Sequence, residues 1–298
     1  MSTTQTAPHR PGGGLIASTV SYMSGQLRQI GLFIALIVIV LFFQIVTQGI
    51  TLSPRNVSNL IVQNSYILIL AIGMVMVIIA GHIDLSVGSV AAFVGAMSGV
   101  MVVHWGWPWW LGIIASLLVG ALVGAWQGFW VAVVGIPAFI VTLAGMLLFR
   151  GLTQMVLGNT QITPFPSEYR LLGGGYLFPQ LFPASTSPVE WITFGLGVVT
   201  LVLFVGYELG ERSKQAKMGL ETEARTWFLV RLIGGVALIA YLTYLLGMAD
   251  GSRGTPVVLI VLAVLIVGYT LVMSRTVFGR HIYAIGGNRH AADLSGIK

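Results

Sequence analysis

The sequence predicts an all-α fold: a polytopic bundle of about eight membrane-spanning helices with both termini cytoplasmic. Three observations carry that expectation. Apolar residues make up 56% of the chain and charged residues 8%, and the mean hydropathy is +0.91. A water-soluble domain carries roughly 25% charged residues, so this chain lacks the polar groups to cover a water-facing surface. Apolar runs close to the length that crosses the hydrocarbon core recur along it. The Lys and Arg residues, finally, gather on one set of the connections between those runs.

The residues before Gln29 are mostly polar or small, with Pro11 leading into Gly12, Gly13 and Gly14. They read as a flexible cytoplasmic tail over residues 1–27, with a short interfacial stretch around Leu15–Met23. The apolar run that follows is too long for a signal-peptide core and is expected to stay as a helix. Candidate spans lie near Ile30–Ile50, Val57–Ala80, Val87–Val103, Trp109–Val134, Pro137–Leu157, Trp191–Tyr207, Trp227–Met248 and Pro256–Met273. With the N-terminus inside and the spans alternating, eleven of the fifteen Lys and Arg residues fall inside. Arg55, Arg150, Arg170 and Arg253 fall outside. This is the asymmetry expected of cytoplasmic loops. The outer connections include HWGWPWW (His104–Trp110), an aromatic belt with a proline turn, and the long Gly158–Glu190 loop. Its prolines and glycines predict turns and a short interfacial helix. Gly112, Ser116, Gly120, Gly124 and Gly128 recur every fourth residue, spacing that lets helix backbones approach closely in lipid.

Several chemistries are excluded by pattern. There is no phosphate-binding G-x-x-x-x-G-K-[ST] loop, no H-E-x-x-H motif and no G-x-S-x-G elbow. Cysteine is absent, which removes disulfides and thiolate metal sites. The net charge of +6 sits in loops rather than in a basic stripe with interleaved aromatics, so nucleic acid is not an expected partner. No cofactor and no metal is implied, and the chain is not expected to be an enzyme.

Two segments carry polar chemistry against this apolar background. In Gly73–Ser89 an apolar run ends in Gly81, His82, Asp84, Ser86, Gly88 and Ser89, and Asp84 is the sole carboxylate before Glu168. A charge at membrane depth faces a partner, a cavity or the interface, so Asp84, Ser86, Gly88 and Ser89 are candidates for a translocation route or its gate. Equally, Asp84 can simply cap the next helix. Asn59, Gln63 and Asn64, with Asn56 nearby, form an amide cluster suited either to sugar hydroxyls or to an outer helix start. The second segment is Phe278–Lys298, in which Asn288 is placed to cap a helix from about Arg289 to Leu294 and Gly296 to end it. A short helix with small residues fits a shallow groove on a soluble partner; an ordinary basic loop is the plainer reading.

Taken together, IDLSVGS (Ile83–Ser89) and GGNRHAADLSGI (Gly286–Ile297) resemble the permease family of bacterial ribose- and xylose-type ATP-binding-cassette importers. Leu52–Leu60, Ile136–Gly151, Thr276–Gly287 and the additional Trp191–Arg225 stretch look most like its xylose branch. The resemblance implies a transmembrane permease domain over residues 28–274 and a cytoplasmic coupling loop over 275–298. It also implies a monosaccharide substrate, a bacterial inner-membrane location, a separate cytoplasmic ATPase, a periplasmic sugar-binding protein and a second permease copy. Gly287, Asn288, Ala291, Ala292, Leu294, Ser295 and Gly296 are then the ATPase-facing positions. Members of the family continue past this loop with further helices, so the sequence ending at Lys298 is expected to lack that part. Two rival readings are an ion-coupled transporter with Asp84 as the coupling carboxylate and a non-transporting membrane assembly subunit.

Overall fold

The computed structural model describes residues 31–32, 34–158, 160–177, 190–219, 225–248 and 254–297. The expected N-terminal tail, the Leu15–Met23 stretch, much of the long outer loop and residues 220–224 of the Trp191–Arg225 stretch lie outside the described residues. The chain divides into two compact units, Met1–Asn56 and Val57–Lys298.

In the first unit an apolar helix, α1, covers Ile34–Val46. It ends where Gln48 and Gly49 take positive φ. The Gln44 side chain accepts a hydrogen bond from the Leu52 amide at 2.8 Å, closing the turn.

The second unit is built from helices. α2 (Pro54–Ile79) has its first turn in the first unit. It is followed by α3 (Val87–Gly99), which runs on as a π-helical turn over Val100–His104. Then come α4 (Trp109–Ala132), α5 (Ala138–Leu157), the short α6 (Ser167–Gly174), α7 (Trp191–Lys217), α8 (Arg225–Gly247) and α9 (Val257–Arg275). Two short helices close the described chain, α10 (Val277–Gly287) and α11 (Arg289–Leu294). There is no strand among the described residues, only an isolated bridge between Tyr176 and Pro256. Among the described residues, seven helices are long and apolar enough to cross a membrane. This is a polytopic all-α membrane bundle. The candidate span at Trp191–Tyr207 is longer than its apolar run, because the polar continuation to Lys217 stays helical with a Glu211–Lys214 ion pair one turn apart.

Proline sets many of the helix starts. Pro108, Pro137, Pro166 and Pro256 each stand immediately before the first residue of α4, α5, α6 and α9. Their fixed φ points the chain into a helix, and the missing N–H removes a donor that the first turn could not satisfy. Large apolar side chains such as Leu117, Leu122, Val202 and Leu203 face outward, as lipid-facing residues do.

Small residues govern the close packing. α3 lies on α5 and α4. Val102 of the π turn fills the space where Gly112 has no side chain, and Ser116 returns its hydroxyl proton to the Gly112 carbonyl at 2.6 Å. α7 and α8 pair with each other: Thr243 sits over Gly197, Phe204 over Gly235 and Phe194 over Gly247. α9 holds α6 on one side and bends into α10.

Candidate functional site

The residues flagged around Asp84 form one hydrogen-bonded turn. Asp84 Oδ1 accepts from the Ser86 amide and from the Ser86 hydroxyl, both at 2.7 Å. Ser86 is buried and its hydroxyl also lies 3.0 Å from Gln127 Oε1 of α4. One hydroxyl has one proton, so it cannot donate to both oxygens. Turning the Gln127 amide over resolves this: Nε2, otherwise buried without a partner, donates to Ser86 Oγ, which donates to Asp84. On the other side Thr142 of α5 reaches the Ile83 carbonyl at 3.3 Å, and Gly145 leaves room for the Gln127 amide and the Ser86 β-carbon. The IDLSVGS turn is therefore clamped between α4 and α5 at the start of α3. Ser89 is half-buried and Gly88 exposed; no polar contact draws them into the clamp.

This end of the bundle, where Arg275, Arg280 and Arg289 also lie, is the inner end by the charge distribution. A cavity of about 440 Å³ opens there, lined by Gly81, His82, Ile83, the Gly135–Pro137 connection and Arg289. The α10–α11 corner is built from local caps. Thr276 accepts from the Gly279 amide at 3.2 Å to start α10, and Asn288 accepts from the Ala291 amide at 3.0 Å to start α11. Gly296, with φ +81°, ends it. Two glycines allow backbones to touch: Gly279 lies against the Met273 backbone and Gly286 against the Ile79 carbonyl at the end of α2.

Within α11 the side chains divide. Leu294 is 78% exposed, and Gly287, Asn288, Ala291, Ser295 and Gly296 are also exposed. Ala292 is only 4% exposed. On a helix adjacent residues point about 100° apart, and Ala292 is the one that seats α11 while Ala291 stays open.

The amide cluster is a separate place. Asn59, Gln63 and Asn64 lie near the outer start of α2, some twenty residues or about 30 Å of helix from the Asp84 turn. Gln63 is exposed, and Asn64 spends its amide on the Leu60 carbonyl of its own helix at 2.8 Å.

Sequence reasoning missed Glu190. It stands just before α7, outside the span, yet is 1% exposed. Thr193 donates to its Oε2 at 3.3 Å, its amide donates to the Gly247 carbonyl, and Oε1 has no partner. Thr193 in turn pairs with Thr255 at 2.9 Å, and Gly254, at φ +61°, has no side chain because the carboxylate occupies that space. Burial pushes the carboxyl up to about 7, and the Thr193 hydrogen bond offsets part of that rise. In the sequence Glu190 resembles an ordinary acidic helix start; only the return of Gly254 and Thr255 buries it.

A family profile described as "Branched-chain amino acid transport system / permease component" matches residues 56–298. The chain belongs to this permease family. Within the family it is 42% identical over 264 residues to the xylose transport system permease protein XylH of Escherichia coli K12, covering 88% of this chain and 63% of that protein. It is 40% identical over 266 residues to XylH of Haemophilus influenzae, covering 89% and 67%. Against the ribose import permease protein RbsC of H. influenzae it is 38% identical over 149 residues, 49% of this chain and 46% of that protein. The chain thus spans a little under two thirds of the length of the E. coli xylose permease. No solved structure matches it. Both the Asp84 turn and the α10–α11 corner lie within the family match.

Proposed function

We propose that this chain is the membrane-spanning part of an ATP-driven importer that carries a monosaccharide, xylose, across the bacterial inner membrane. The observation that carries this reading is the 42% identity to the xylose permease over 88% of the chain. ATP is hydrolysed by a separate cytoplasmic subunit, a periplasmic binding protein delivers the sugar, and a second permease copy completes the pathway. The exposed side of α11 docks on the ATPase. Because Gly286 lies directly on the Ile79 carbonyl, a push on α11 passes through α10 into the end of α2. Nucleotide-driven closure of the ATPase pair biases this two-state movement, and the sugar route opens alternately to the two sides. Asp84 shapes the turn at the start of α3, which argues against a role as an ion-coupling carboxylate.

The full-length subunit, assembled with its ATPase and binding protein, tests this directly. Changing Ala291→Arg with Leu294→Asp alters two exposed positions and leaves buried Ala292 alone. The variant is expected to insert normally, to lose co-purification of the ATPase and to abolish xylose uptake. Unchanged uptake would remove the docking role. Uptake that survives ATP depletion and stops with an ionophore would instead favour an ion-coupled transporter.

A further inference from the structure

The inner cavity of about 440 Å³ lies where three parts of the fold meet. Gly81, His82 and Ile83 follow α2, the α4–α5 junction supplies the floor, and Arg289 opens α11. The size falls within the roughly 300–1,000 Å³ of small-ligand sites. Its charge is of one sign. Arg289 is the charged residue among those lining it, and no carboxylate does. Among the described residues Arg289 forms no ion pair, although Asp293 stands one turn along the same helix. Asp84 is turned to Ser86 instead. His82 adds an imidazole N–H to the wall. Beside the cavity the surface turns apolar. Phe139 lines the cavity and is itself exposed, and exposed Leu143, one turn along α5, continues its stripe into the membrane. On α4, Trp130 is exposed at the same end with its ring edge-on to Phe129, as aromatic side chains sit at a membrane boundary.

We infer that this cavity holds the phosphate headgroup of an anionic phospholipid from the inner leaflet, with an acyl chain along Phe139 and Leu143. Charge complementarity selects an anion, and the adjoining lipid-facing stripe selects one that carries a tail. A guanidinium meets two phosphate oxygens at once, which suits Arg289 to the headgroup. The site does not compete with the ATPase-docking side of α11. Ala292, which seats the helix, lies within about 60° of Arg289 around the helix axis, whereas Ala291 and Leu294 lie about 160° and 140° away. A lipid held there touches the end of α2, the α4–α5 junction and α11 together, so it braces α11 against the bundle.

The test uses the full-length subunit in bilayers of phosphatidylcholine with a minor share of phosphatidylglycerol. Lipid retained on extraction into mild detergent is read by native mass spectrometry. The parent is expected to retain phosphatidylglycerol in preference to phosphatidylcholine. Arg289→Gln should lower that retention about tenfold, the loss of a charge-assisted contact. Arg289→Lys keeps the charge and should retain most of it. Arg280→Gln removes the same charge from an exposed residue at the same end but outside the cavity. It should cost no more than the roughly fivefold of a charge near an anionic surface. Ala132→Trp fills the cavity without touching a charge and should also displace the lipid. Equal losses from Arg289→Gln and Arg280→Gln would mean diffuse attraction to the membrane and would overturn the inference. So would unchanged retention in Ala132→Trp, or a parent that retains both lipids alike. Inorganic phosphate that displaces the retained lipid and raises the melting temperature in pure phosphatidylcholine as much as phosphatidylglycerol does would assign the cavity to a free anion and overturn the lipid.

Discussion

At the inner corner backbone touches backbone: Gly279 rests on Met273, and Gly286 rests on the Ile79 carbonyl. In the outer half the helices stand around an open space, joined by hydroxyl bridges such as Ser98–Tyr169 and Ser58–Tyr176. The difference separates stiffness from room. A glycine contact between backbones has no rotamer to yield, so it transmits displacement; a cavity pinned by hydroxyls can change width at small cost. The two adjacent glycines Gly286 and Gly287 test this difference in stiffness most directly. A β-carbon at Gly286 would overlap the Ile79 carbonyl, whereas at Gly287 it meets nothing within 4 Å. Gly286→Val is expected to destabilise the subunit by about 3 kcal/mol or more, the upper range of overpacking. Gly287→Ala should leave thermal unfolding in detergent nearly unchanged. Equal melting temperatures for the two variants would show that the inner corner is not stiff.

The knot at Glu190 belongs to the outer half and adds a pH dependence there. The folded carboxyl titrates near 7, above the ordinary value of 4.5. Between those values the folded state holds a proton that the unfolded state has released, so stability falls as pH rises from about 4.5 to about 7 and is flat beyond. The span corresponds to at most roughly 3–4 kcal/mol, by about 1.4 kcal/mol for each unit. Glu190→Gln keeps the Thr193 contact and removes the titration. It is expected to unfold at a higher temperature than the parent at pH 8 and at a similar one at pH 4.5. A parent whose melting temperature does not fall between those pH values would contradict the assignment of a buried acid.

The outline of the bundle was legible because its signals are local. Apolar length marks spans, proline marks helix starts, and Asn288 with Gly296 marks the ends of α11. The Asp84 turn was legible as a polar break, but its partners Gln127 and Thr142 were not, since nothing in the sequence says which faces of α4 and α5 turn toward it. Glu190 was hidden for the same reason: it is enclosed by segments that meet only on folding. Composition shows small residues at Ala291 and Ala292 but not that one is exposed and the other buried.

The smallest expected effect concerns the small-residue row of α4, which reads as uniform in the sequence and is not so in the fold. At its outer end Gly112 is filled by Val102, and Gly120 lies at ordinary contact distance from Val94. At Gly124 and Gly128 a β-carbon would meet nothing within 4 Å. Among the described residues, the close approach that such spacing permits is therefore used in the outer half of the helix and not at Gly124 or Gly128. Gly112→Ala forces Val102 to move and should cost about 1–3 kcal/mol. Gly124→Ala meets no neighbour and gains helix preference worth up to about 1 kcal/mol, so it should be neutral or slightly stabilising. Thermal unfolding of the two single variants in detergent distinguishes them. If Gly124→Ala proved as costly as Gly112→Ala in the assembled importer but neutral in the isolated subunit, the inner half of the row would be packed against another chain, and the open face of α4 would be its contact surface.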